Sequence, residues 1–455
     1  TKSEYEMALE NLFNRFHKKF GKKVPIYIIL TAYQQDKIAT GCQIVRDVQL
    51  AISQRLKEVY IAYGETGSFA ERNWFKDIVH YNQEALNDIG AKTAEFIFKS
   101  QSAHADKVYR NNWTNSYDFN GLIQPVPNAN KFIDSGYYVW CGSVTKGKDG
   151  KYYMLYSRWP LSDGFEAWPI SSEIAVAVAD NIAGPYKYLK VALPARGSQY
   201  WDGSATHNPA VVQYKGKYYL YYMGTSCNIP IKKYESYTDN WWRYRNTQRI
   251  GVAVADSPNS DWKRLDHPVL DVSKDSTAFD GLLVSNPAPA IDDKGRIILV
   301  YKSVAKTEKI NGGNVRFGVA FANSPLGPYK KLHKTIFEVK DNSKDWMLAE
   351  DPYVWFQNGY YLAIVRDVVG KFTGDTGALA LLVSKNGVDW VPALHPKVIG
   401  SKFSWEDGSE SVSKLERPCL VFENGIPQYL FGATRADKFQ RLSFNVAIPF
   451  LKINK

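Results

Sequence analysis

Acidic and polar side chains cluster at one recurring step of this sequence, directly before or at the start of five short apolar segments. The segments that carry them are 134–142, 201–209, 279–287, 345–352 and 414–419. The candidate catalytic residues at these steps are the carboxylates Asp202, Asp280, Glu350, Asp351 and Glu416. The candidate substrate-binding residues beside them are Trp140, Trp201, His207, Asn208, Asn286 and Arg417.

Hydrolysis of a glycosidic bond is one reaction that such a set of side chains can perform. It requires one carboxyl group that is protonated and a second that is ionised. Carboxyl groups that crowd together in one place separate these two states, because the neighbouring charge raises the pKa of one of them. Tryptophan rings and the planar fork of an arginine are groups that can contact a sugar or its carboxylate.

Turn chemistry is the competing interpretation of these residues. Aspartate before glycine is common in turns, and Asp or Asn before proline often begins one. Turns do not, however, require Glu350 beside Asp351, or Glu416 beside Arg417. Asp202 and Asp280 both lie six residues before the Asn that precedes proline. This shared spacing predicts that they are placed alike, and it makes them the favoured candidates for the base.

An internal repeat shows which elements would position these side chains. A residue followed by Pro or Gly, an apolar strand, a glycine turn and an aromatic strand occur five times, beginning at residues 141, 208, 286, 351 and 417. A second motif follows the first three copies, as in RIGVAVADSPNSDWKRL (249–265). Each unit has the four strands of one propeller blade, and only radial packing of neighbours can bury both faces of such a sheet. Residues 102–455 are therefore predicted to form a five-bladed β-propeller, with the polar steps at one mouth of its channel.

Residues 1–101 have a different rhythm. Helical periodicity at 4–20, 40–56 and 82–99 alternates with short apolar strands at 24–30 and 58–63. This order predicts an α/β segment with a parallel sheet and crossover helices.

Composition narrows the class of protein further. The net charge of +11 favours anionic partners, but no basic run carries a nucleic-acid-binding motif, so a nucleic acid is not predicted. The four cysteines are too widely spaced for a disulfide framework or a zinc cluster. No run of about 18 apolar residues occurs, so no membrane span is predicted, and no signal peptide is recognised at the start.

The five repeats resemble the five-bladed glycoside hydrolases of families 43, 32 and 117 over about residues 130–450. Family 43 enzymes have a Glu-Gly-Pro step whose Glu is the general acid, and the similar step here is Glu350-Asp351-Pro352. The resemblance thus implies that Glu350 is the acid. The family's other two acids align with Cys141 and Asn286, which cannot act as carboxylates, so the base comes from Asp202, Asp280, Asp351 or Glu416. His207 is a candidate acid if the chain is more like family 117.

The segment 77–97 resembles the closing part of an SGNH carbohydrate esterase of the sialate O-acetylesterase kind. That resemblance implies that Asp77 orients His80 as a general base. The serine nucleophile of that fold has no matching segment in this sequence. The esterase is therefore an expectation for a parent protein with an upstream half.

Three functions remain open from the sequence. The first is a glycosidase that removes a terminal sugar from a decorated polysaccharide, which can be acidic. The expected location of such a protein is the periplasm or the extracellular space. The second is a glycan-binding propeller without catalysis, and the third is a phosphorylase or transferase on the same fold. No cofactor and no metal ligands are predicted, although propellers of this group sometimes hold a structural cation in the channel.

Overall fold

A computed structural model of the 455-residue chain describes residues 1–21, 24–33, 40–77, 80–108, 118–229, 237–339, 345–437, 439 and 441–451. For residues 40 and 98–108 only the backbone is described. The chain divides into two compact units, Thr1–Asn115 and Ser116–Lys455. The sequence predicted a boundary between residues 101 and 102, and a helix of the first unit continues through that point.

The first unit is an α/β segment with a two-stranded parallel sheet. It contains α1 (Lys2–Phe20), β1 (Ile26–Ile29), α2 (Thr40–Arg55), β2 (Val59–Tyr63), a 3₁₀ turn at Glu65–Ser68 and α3 (Gln83–Val108). Strand β1 pairs with β2 in parallel, so α2 is the crossover helix that parallel pairing needs. The core between helices and sheet contains Phe13, Ile28, Val48 and Ile52. The predicted order of helices and strands in this segment is confirmed.

The second unit is a five-bladed β-propeller, as the repeat predicted. Each blade is a four-stranded antiparallel sheet. Blade one contains β4 (Tyr137–Lys146), β5 (Tyr152–Pro160), β6 (Glu173–Ala179) and β7 (Lys187–Leu193), and blade two contains β8 (Ala205–Tyr214), β9 (Lys217–Thr225), β10 (Arg249–Ala255) and β11 (Lys263–Arg264). Blade three contains β12 (Leu283–Ile291), β13 (Ile297–Val304), β14 (Val315–Ala322) and β15 (Lys330–Lys331), and blade four contains β16 (Ala349–Gln357), β17 (Tyr360–Asp367), β18 (Leu379–Ser384) and β19 (Val391–Ile399). Blade five contains β20 (Glu416–Glu423), β21 (Ile426–Arg435), β22 (Ser443–Pro449) and β3 (Lys131–Phe132).

The fifth blade is closed by a strand from the start of the unit. Strand β3 precedes blade one in the chain, yet it pairs antiparallel with β22 through Phe132 opposite Asn445 and Lys131 opposite Val446. The fifth repeat therefore supplies three strands of its own, where the sequence suggested four per unit. This pairing joins the two ends of the propeller and removes an open sheet edge.

Short helices lie outside the sheets of the blades. They are α4 (Phe119–Leu122), α5 (Trp168–Ser171) and α6 (Asp239–Asn246), with 3₁₀ turns at Asn128–Asn130, Leu161–Asp163 and Phe165–Ala167. Apolar clusters fill the spaces between neighbouring blades; they include Leu155, Val176 and Leu220, then Tyr221, Val252 and Leu299, then Val300, Val319 and Ala363, and finally Val139, Tyr156 and Phe431. The first strands of the blades contact one another around the central axis. These strands are therefore the elements that present side chains to the channel.

Candidate active site

Each of the five innermost strands carries a β-bulge at the same place. The ladder to the second strand shifts register there in all five blades. One residue of each bulge has a positive φ, and these residues are Cys141 (58°), Asn208 (56°), Asn286 (45°), Asp351 (53°) and Arg417 (57°). Asn and Asp tolerate this left-handed conformation, but Cys and Arg adopt it at a cost of about 1–2 kcal/mol. Bulges re-aim side chains next to functional sites.

The five bulge residues form a hydrogen-bonded chain across the channel. The Cys141 thiol donates to Asn208 Oδ1 (3.1 Å), and Asn208 Nδ2 donates to Asn286 Oδ1 (2.7 Å). Asn286 Nδ2 then donates to Asp351 Oδ1 (2.7 Å), which also accepts from Arg417 Nη1 (2.9 Å). The structure thus brings together four residues predicted from the sequence, Asn208, Asn286, Asp351 and Arg417. Their side chains form most of their hydrogen bonds with one another.

A pocket of about 360 Å³ opens above this chain of bulge residues, on the side predicted from the sequence. The side chains that line it are Trp140, Trp159, Phe165, Glu166, Trp168, His207, Asn208, Tyr237, Asn286, Lys302, Trp346, Met347, Glu350, Asp351, Arg366, Lys414, Glu416, Arg417 and Arg435. The volume lies in the range of small-ligand sites. All five candidate carboxylates were expected at this mouth, and the structure brings Glu350, Asp351 and Glu416 into it.

One wall of the pocket is aromatic; it contains Trp140 of β4 together with Phe165 and Trp168 from the connection between β5 and β6. Trp140 meets the Phe165 ring edge-on at a centroid distance of 5.2 Å. Helix α6 packs on α5, where Trp241 lies 6.0 Å from Trp168 and donates its Nε1 hydrogen to the Glu166 carbonyl oxygen (2.8 Å). Rigid aromatic faces next to charged groups are surfaces on which a sugar ring can stack. Trp140 therefore lies where the sequence predicted a binding residue.

Glu350 is held ionised by two cations. Lys302 Nζ donates to its Oε1 (2.8 Å), and Arg366 Nη2 donates to its Oε2. Burial acts to raise the pKa of Glu350, but the positive charges of Lys302 and Arg366 outweigh it and hold this pKa well below its usual range. Glu350 is consequently a carboxylate, not a proton donor, in this arrangement.

Glu416 has the opposite electrostatic environment. Its Oε1 lies 2.5 Å from Lys414 Nζ and 3.6 Å from the same Arg366 Nη2 that binds Glu350. Burial and the negative charge of Glu350 raise the pKa of Glu416 above its usual value, although Arg366 and Lys414 act against this. The two carboxyl groups are therefore neighbours around one guanidinium, with pKa values displaced in opposite directions.

His207 is buried beneath the pocket and is neutral. Its Nδ1 lies 2.8 Å from Ser172 Oγ, and its Nε2 lies 3.7 Å from Cys141 Sγ. Burial and the charge of Arg417 hold the pKa of His207 well below its usual range, which disfavours the imidazolium form that a general acid would need. Burial raises the pKa of Cys141 to about 12, which keeps the thiol protonated.

Asp202 lies away from the pocket, contrary to its selection as a candidate base. Its buried carboxylate accepts hydrogen bonds from Arg196 Nε (2.8 Å), Arg264 Nη1 (3.1 Å) and the Tyr222 hydroxyl (2.8 Å). It thereby fastens the segment before β8 to the second and fourth strands of blade two. The geometry does not support a catalytic role for Asp202, because the partners of this carboxylate hold the strands of blade two together.

Asp280 occupies the equivalent place in blade three, again outside the pocket. Its Oδ2 accepts from Lys331 Nζ (2.7 Å) on the fourth strand and from the Tyr301 hydroxyl (3.1 Å) on the second strand. The common six-residue spacing correctly predicted that Asp202 and Asp280 are placed alike. It did not indicate that both carboxylates are structural ties, meaning buried acids that hold the strands of their own blade together.

Glycines of the repeat leave space for the tyrosines that bind Asp202 and Asp280. Trp201 packs in the same place in blade two. A Cβ on Gly318 would lie 2.4 Å from Tyr301 Cζ, and a Cβ on Gly251 would lie 2.6 Å from both Tyr222 and Trp201. Trp201 stacks on Tyr222 at 5.6 Å with 24° between the rings. Trp201 therefore packs within blade two, and it does not line the mouth pocket where a sugar-stacking role was expected.

Lys302 and Arg366 line the pocket next to Glu350 and were not predicted from the sequence. They lie on the second strands, opposite Ser285 and Glu350. The sequence does contain a signal, because both charges interrupt strands that are otherwise apolar, in IILVYKSV and YYLAIVRD. A charged residue inside a buried strand needs a partner of opposite charge, and here the partner is Glu350.

In the first unit the predicted Asp77–His80 pair is formed. His80 Nδ1 lies 2.9 Å from Asp77 Oδ1 and 2.8 Å from Oδ2. Both side chains are exposed, at 51% and 73%. Among the residues that the structure describes, no serine hydroxyl is hydrogen-bonded to His80.

Two general features concern ions and membranes. Within the described ranges, no group of three or more His, Cys, Asp or Glu side chains is placed to hold a metal ion. No helix in the described part of the chain is long and apolar enough to cross a membrane.

The fold and pocket define a five-bladed propeller with a carboxylate site at one mouth, and comparison with known proteins adds to this. No family model matches the chain. A stretch of 161 residues is 31% identical to the extracellular endo-α-(1→5)-L-arabinanase 2 of Bacillus subtilis (strain 168). This match covers 32% of the chain and 31% of the arabinanase, so it spans about a third of that relative's length.

Solved structures share the propeller at low sequence identity. A protein solved as an RGII complex is 15% identical with a TM-score of 0.54, over 74% of this sequence and 94% of that protein. A glycoside hydrolase is 14% identical with a TM-score of 0.53, over 77% of this sequence and 96% of that enzyme. These similarities establish the fold.

Proposed function

We propose that the propeller is a glycoside hydrolase in which Glu416 donates the proton and Glu350 is the ionised carboxylate. The observation that carries this proposal is the pair of carboxyl groups around Arg366, whose pKa values are shifted in opposite directions. Pairs of titratable groups pushed apart in this way define acid and base assignments. Glycoside hydrolysis needs one protonated and one ionised carboxyl group flanking the scissile bond.

The roles differ from those implied by the sequence resemblance, which made Glu350 the acid. Two cations contact Glu350 directly, and an acid in that position would lose its proton first. Burial and the neighbouring negative charge of Glu350 raise the pKa of Glu416, although Arg366 and Lys414 oppose this, so Glu416 keeps a proton to higher pH than an ordinary glutamate does. Asp351 is less suited to either role, since Asn286 and Arg417 both bind its Oδ1.

The substrate of this proposed activity is an oligosaccharide or polysaccharide. The aromatic wall of Trp140, Phe165 and Trp168 offers stacking faces for sugar rings beside the two carboxyl groups. The segment similar to an endo-α-(1→5)-L-arabinanase makes α-(1→5)-linked L-arabinan the first polymer to test. Acidic plant and algal polysaccharides complete the panel, as the basic composition suggests.

Release of reducing sugar from this panel tests the proposal. Wild-type protein is expected to generate reducing ends, and Glu350→Gln is expected to lower turnover by about 10²- to 10⁴-fold with the fold intact. Glu410→Gln is the matched control, because Glu410 is 66% exposed and pairs with Lys402 at the surface. Turnover that requires added phosphate would instead indicate a phosphorylase. Undiminished turnover in Glu350→Gln would remove Glu350 from the mechanism.

A glycan-binding propeller without catalysis is the second candidate. It is favoured by Cys141 and Asn286, which occupy bulge positions where the resemblance places carboxylates. Neither residue can exchange a proton at neutral pH, since burial raises the pKa of Cys141 to about 12. Saturable binding of a glycan by wild-type protein with no product after prolonged incubation would support this candidate over the hydrolase.

An esterase role for the first unit and an extracytoplasmic location are further proposals. The esterase proposal rests on the resemblance and on the Asp77–His80 contact. In a parent protein that also supplies the serine nucleophile, it predicts release of acetate from acetylated glycans that is lost in His80→Ala. A secreted or periplasmic location agrees with the extracellular relative, and cell fractionation tests it.

A further inference from the structure

The mouth pocket has more positive than negative side chains. It is lined by five cations, Lys302, Arg366, Lys414, Arg417 and Arg435, and by four acids, Glu166, Glu350, Asp351 and Glu416. The pocket therefore has a positive excess available for an anionic group of a ligand.

Four of these cations are already paired with carboxylates. Lys302 binds Glu350, Arg366 binds both Glu350 and Glu416, Lys414 binds Glu416 and Arg417 binds Asp351. The fourth acid, Glu166, accepts a hydrogen bond from the Tyr237 hydroxyl. Within the described part of the chain, Arg435 is the pocket cation that has no carboxylate partner.

Arg435 is also held in a defined place. It is the last residue of β21, its Nε lies 3.3 Å from Ser413 Oγ, and its guanidinium lies over the Phe165 ring at 5.5 Å. Phe165 belongs to the aromatic wall, where its ring packs against Trp140. The ring contact and the Ser413 hydrogen bond restrict the guanidinium, and no hydrogen bond among the described residues uses its terminal nitrogens, which is the arrangement that suits a carboxylate.

We propose that Arg435 is a specificity residue that binds the carboxylate of a uronic acid residue in the glycan, while the aromatic wall holds the sugar ring. The proposal rests on the proposed glycan-directed function and names its substrate class as acidic. From the sequence, Arg417 was a candidate for this role, with a structural ion pair to Glu350 or Glu416 as the equal alternative. The structure favours Arg435, because Arg417 is committed to Asp351 at 2.9 Å.

Monosaccharide binding separates the carboxylate from the rest of the sugar. D-galacturonate and D-glucuronate are titrated against D-galactose and D-glucose, which carry CH₂OH at the same carbon, with NMR detection. Wild-type protein is expected to bind the uronates more tightly than the neutral sugars. Arg435→Gln is expected to weaken uronate binding by about tenfold or more and to change neutral-sugar binding less than about twofold. Arg435→Lys is expected to restore part of the affinity, because it keeps the charge but not the fork.

Arg441→Gln is the control for loss of one positive charge, since Arg441 is 73% exposed and pairs with Asp437 outside the pocket. It is expected to leave uronate affinity unchanged. Equal affinity of wild-type protein for uronates and neutral sugars, or equal weakening of both by Arg435→Gln, would overturn the proposal. If no glycan is hydrolysed but the Arg435-dependent preference is present, the hydrolase proposal fails and the uronate site stands. Thermal unfolding of each variant verifies the fold.

Discussion

Two sets of acids in this propeller lie only a few residues apart in the repeat and have different surroundings. Asp202 and Asp280 recur at the same place in consecutive blades, and both bind a tyrosine on the second strand and a cation on the fourth. Glu350 and Glu416 occupy one position of the repeat at which the other blades carry Trp140, His207 and Ser285. The comparison teaches that the acids repeated in these two neighbouring blades hold the strands of each blade together, whereas variation at one position of the repeat marks what the pocket needs for chemistry.

The same difference is visible in the charges around each set. Asp202 is surrounded by Arg196, Arg264 and Tyr222, which bind it within the blade. Glu350 and Glu416 instead share Arg366 and face an open pocket. A substrate in the pocket can change the electrostatic environment of Glu350 and Glu416, but it has no access to Asp202.

The sharpest way to break this comparison is to neutralise Glu416. Glu416→Gln is expected to reduce turnover by about 10²- to 10⁴-fold, because it removes the proposed proton donor. The variant is expected to remain folded, since glutamine keeps the size of the side chain and can still accept a hydrogen bond from Lys414. Steady-state kinetics and urea denaturation provide the two readouts. A variant with unchanged kinetics would show that Glu416 is not the acid.

The pH dependence of activity sharpens the assignment of roles. Activity that needs protonated Glu416 declines as the pH rises through its raised pKa, by about tenfold per pH unit above that value. Glu416→Gln should abolish this limb in the residual kcat/KM. A decline that persists unchanged in Glu416→Gln would belong to another group.

Stability is linked to the same two groups with opposite signs. The pKa of Glu416 is raised on folding, so its contribution is present at low pH and is lost as the pH rises through the folded-state value. The pKa of Glu350 is lowered, so its contribution is present above its ordinary value and is lost as the pH falls toward the folded-state value. Denaturation measured across pH in Glu350→Gln is expected to show a weaker loss of stability in acid than the wild type.

The sequence predicted the blades because they repeat, and it predicted the mouth because the polar residues occur at one step of that repeat. It could not predict that β3 closes the fifth blade, since two residues such as Lys131 and Phe132 carry no recognisable pattern. It also could not separate Asp202 from Glu416. Both precede a strand or begin one, and only the partners contributed by distant strands, Arg264 for one and Arg366 for the other, distinguish a tie from a site.

Asp202→Asn tests the structural side of the comparison. It is expected to lower the free energy of unfolding by about 3–5 kcal/mol, because the charges of Arg196 and Arg264 lose their buried partner. Turnover of the folded protein should remain close to wild type. Asp266→Asn is the control, since Asp266 contacts the same Arg196 but is 80% exposed, and its cost should stay below about 1 kcal/mol. A large loss of activity in folded Asp202→Asn would place this acid in the site after all.

The smallest expected effects compare the two ties with each other. Tyr222→Phe and Tyr301→Phe each remove one hydroxyl from a buried carboxylate, at a cost of about 1–2 kcal/mol in the free energy of unfolding. Tyr301→Phe is expected to cost more. Asp202 keeps two guanidinium partners without Tyr222, whereas Asp280 would keep Lys331, and its Oδ1 already lacks a partner among the described residues. Urea denaturation of both variants gives the order, and the reverse order would mean that the number of remaining partners does not set the strength of each tie.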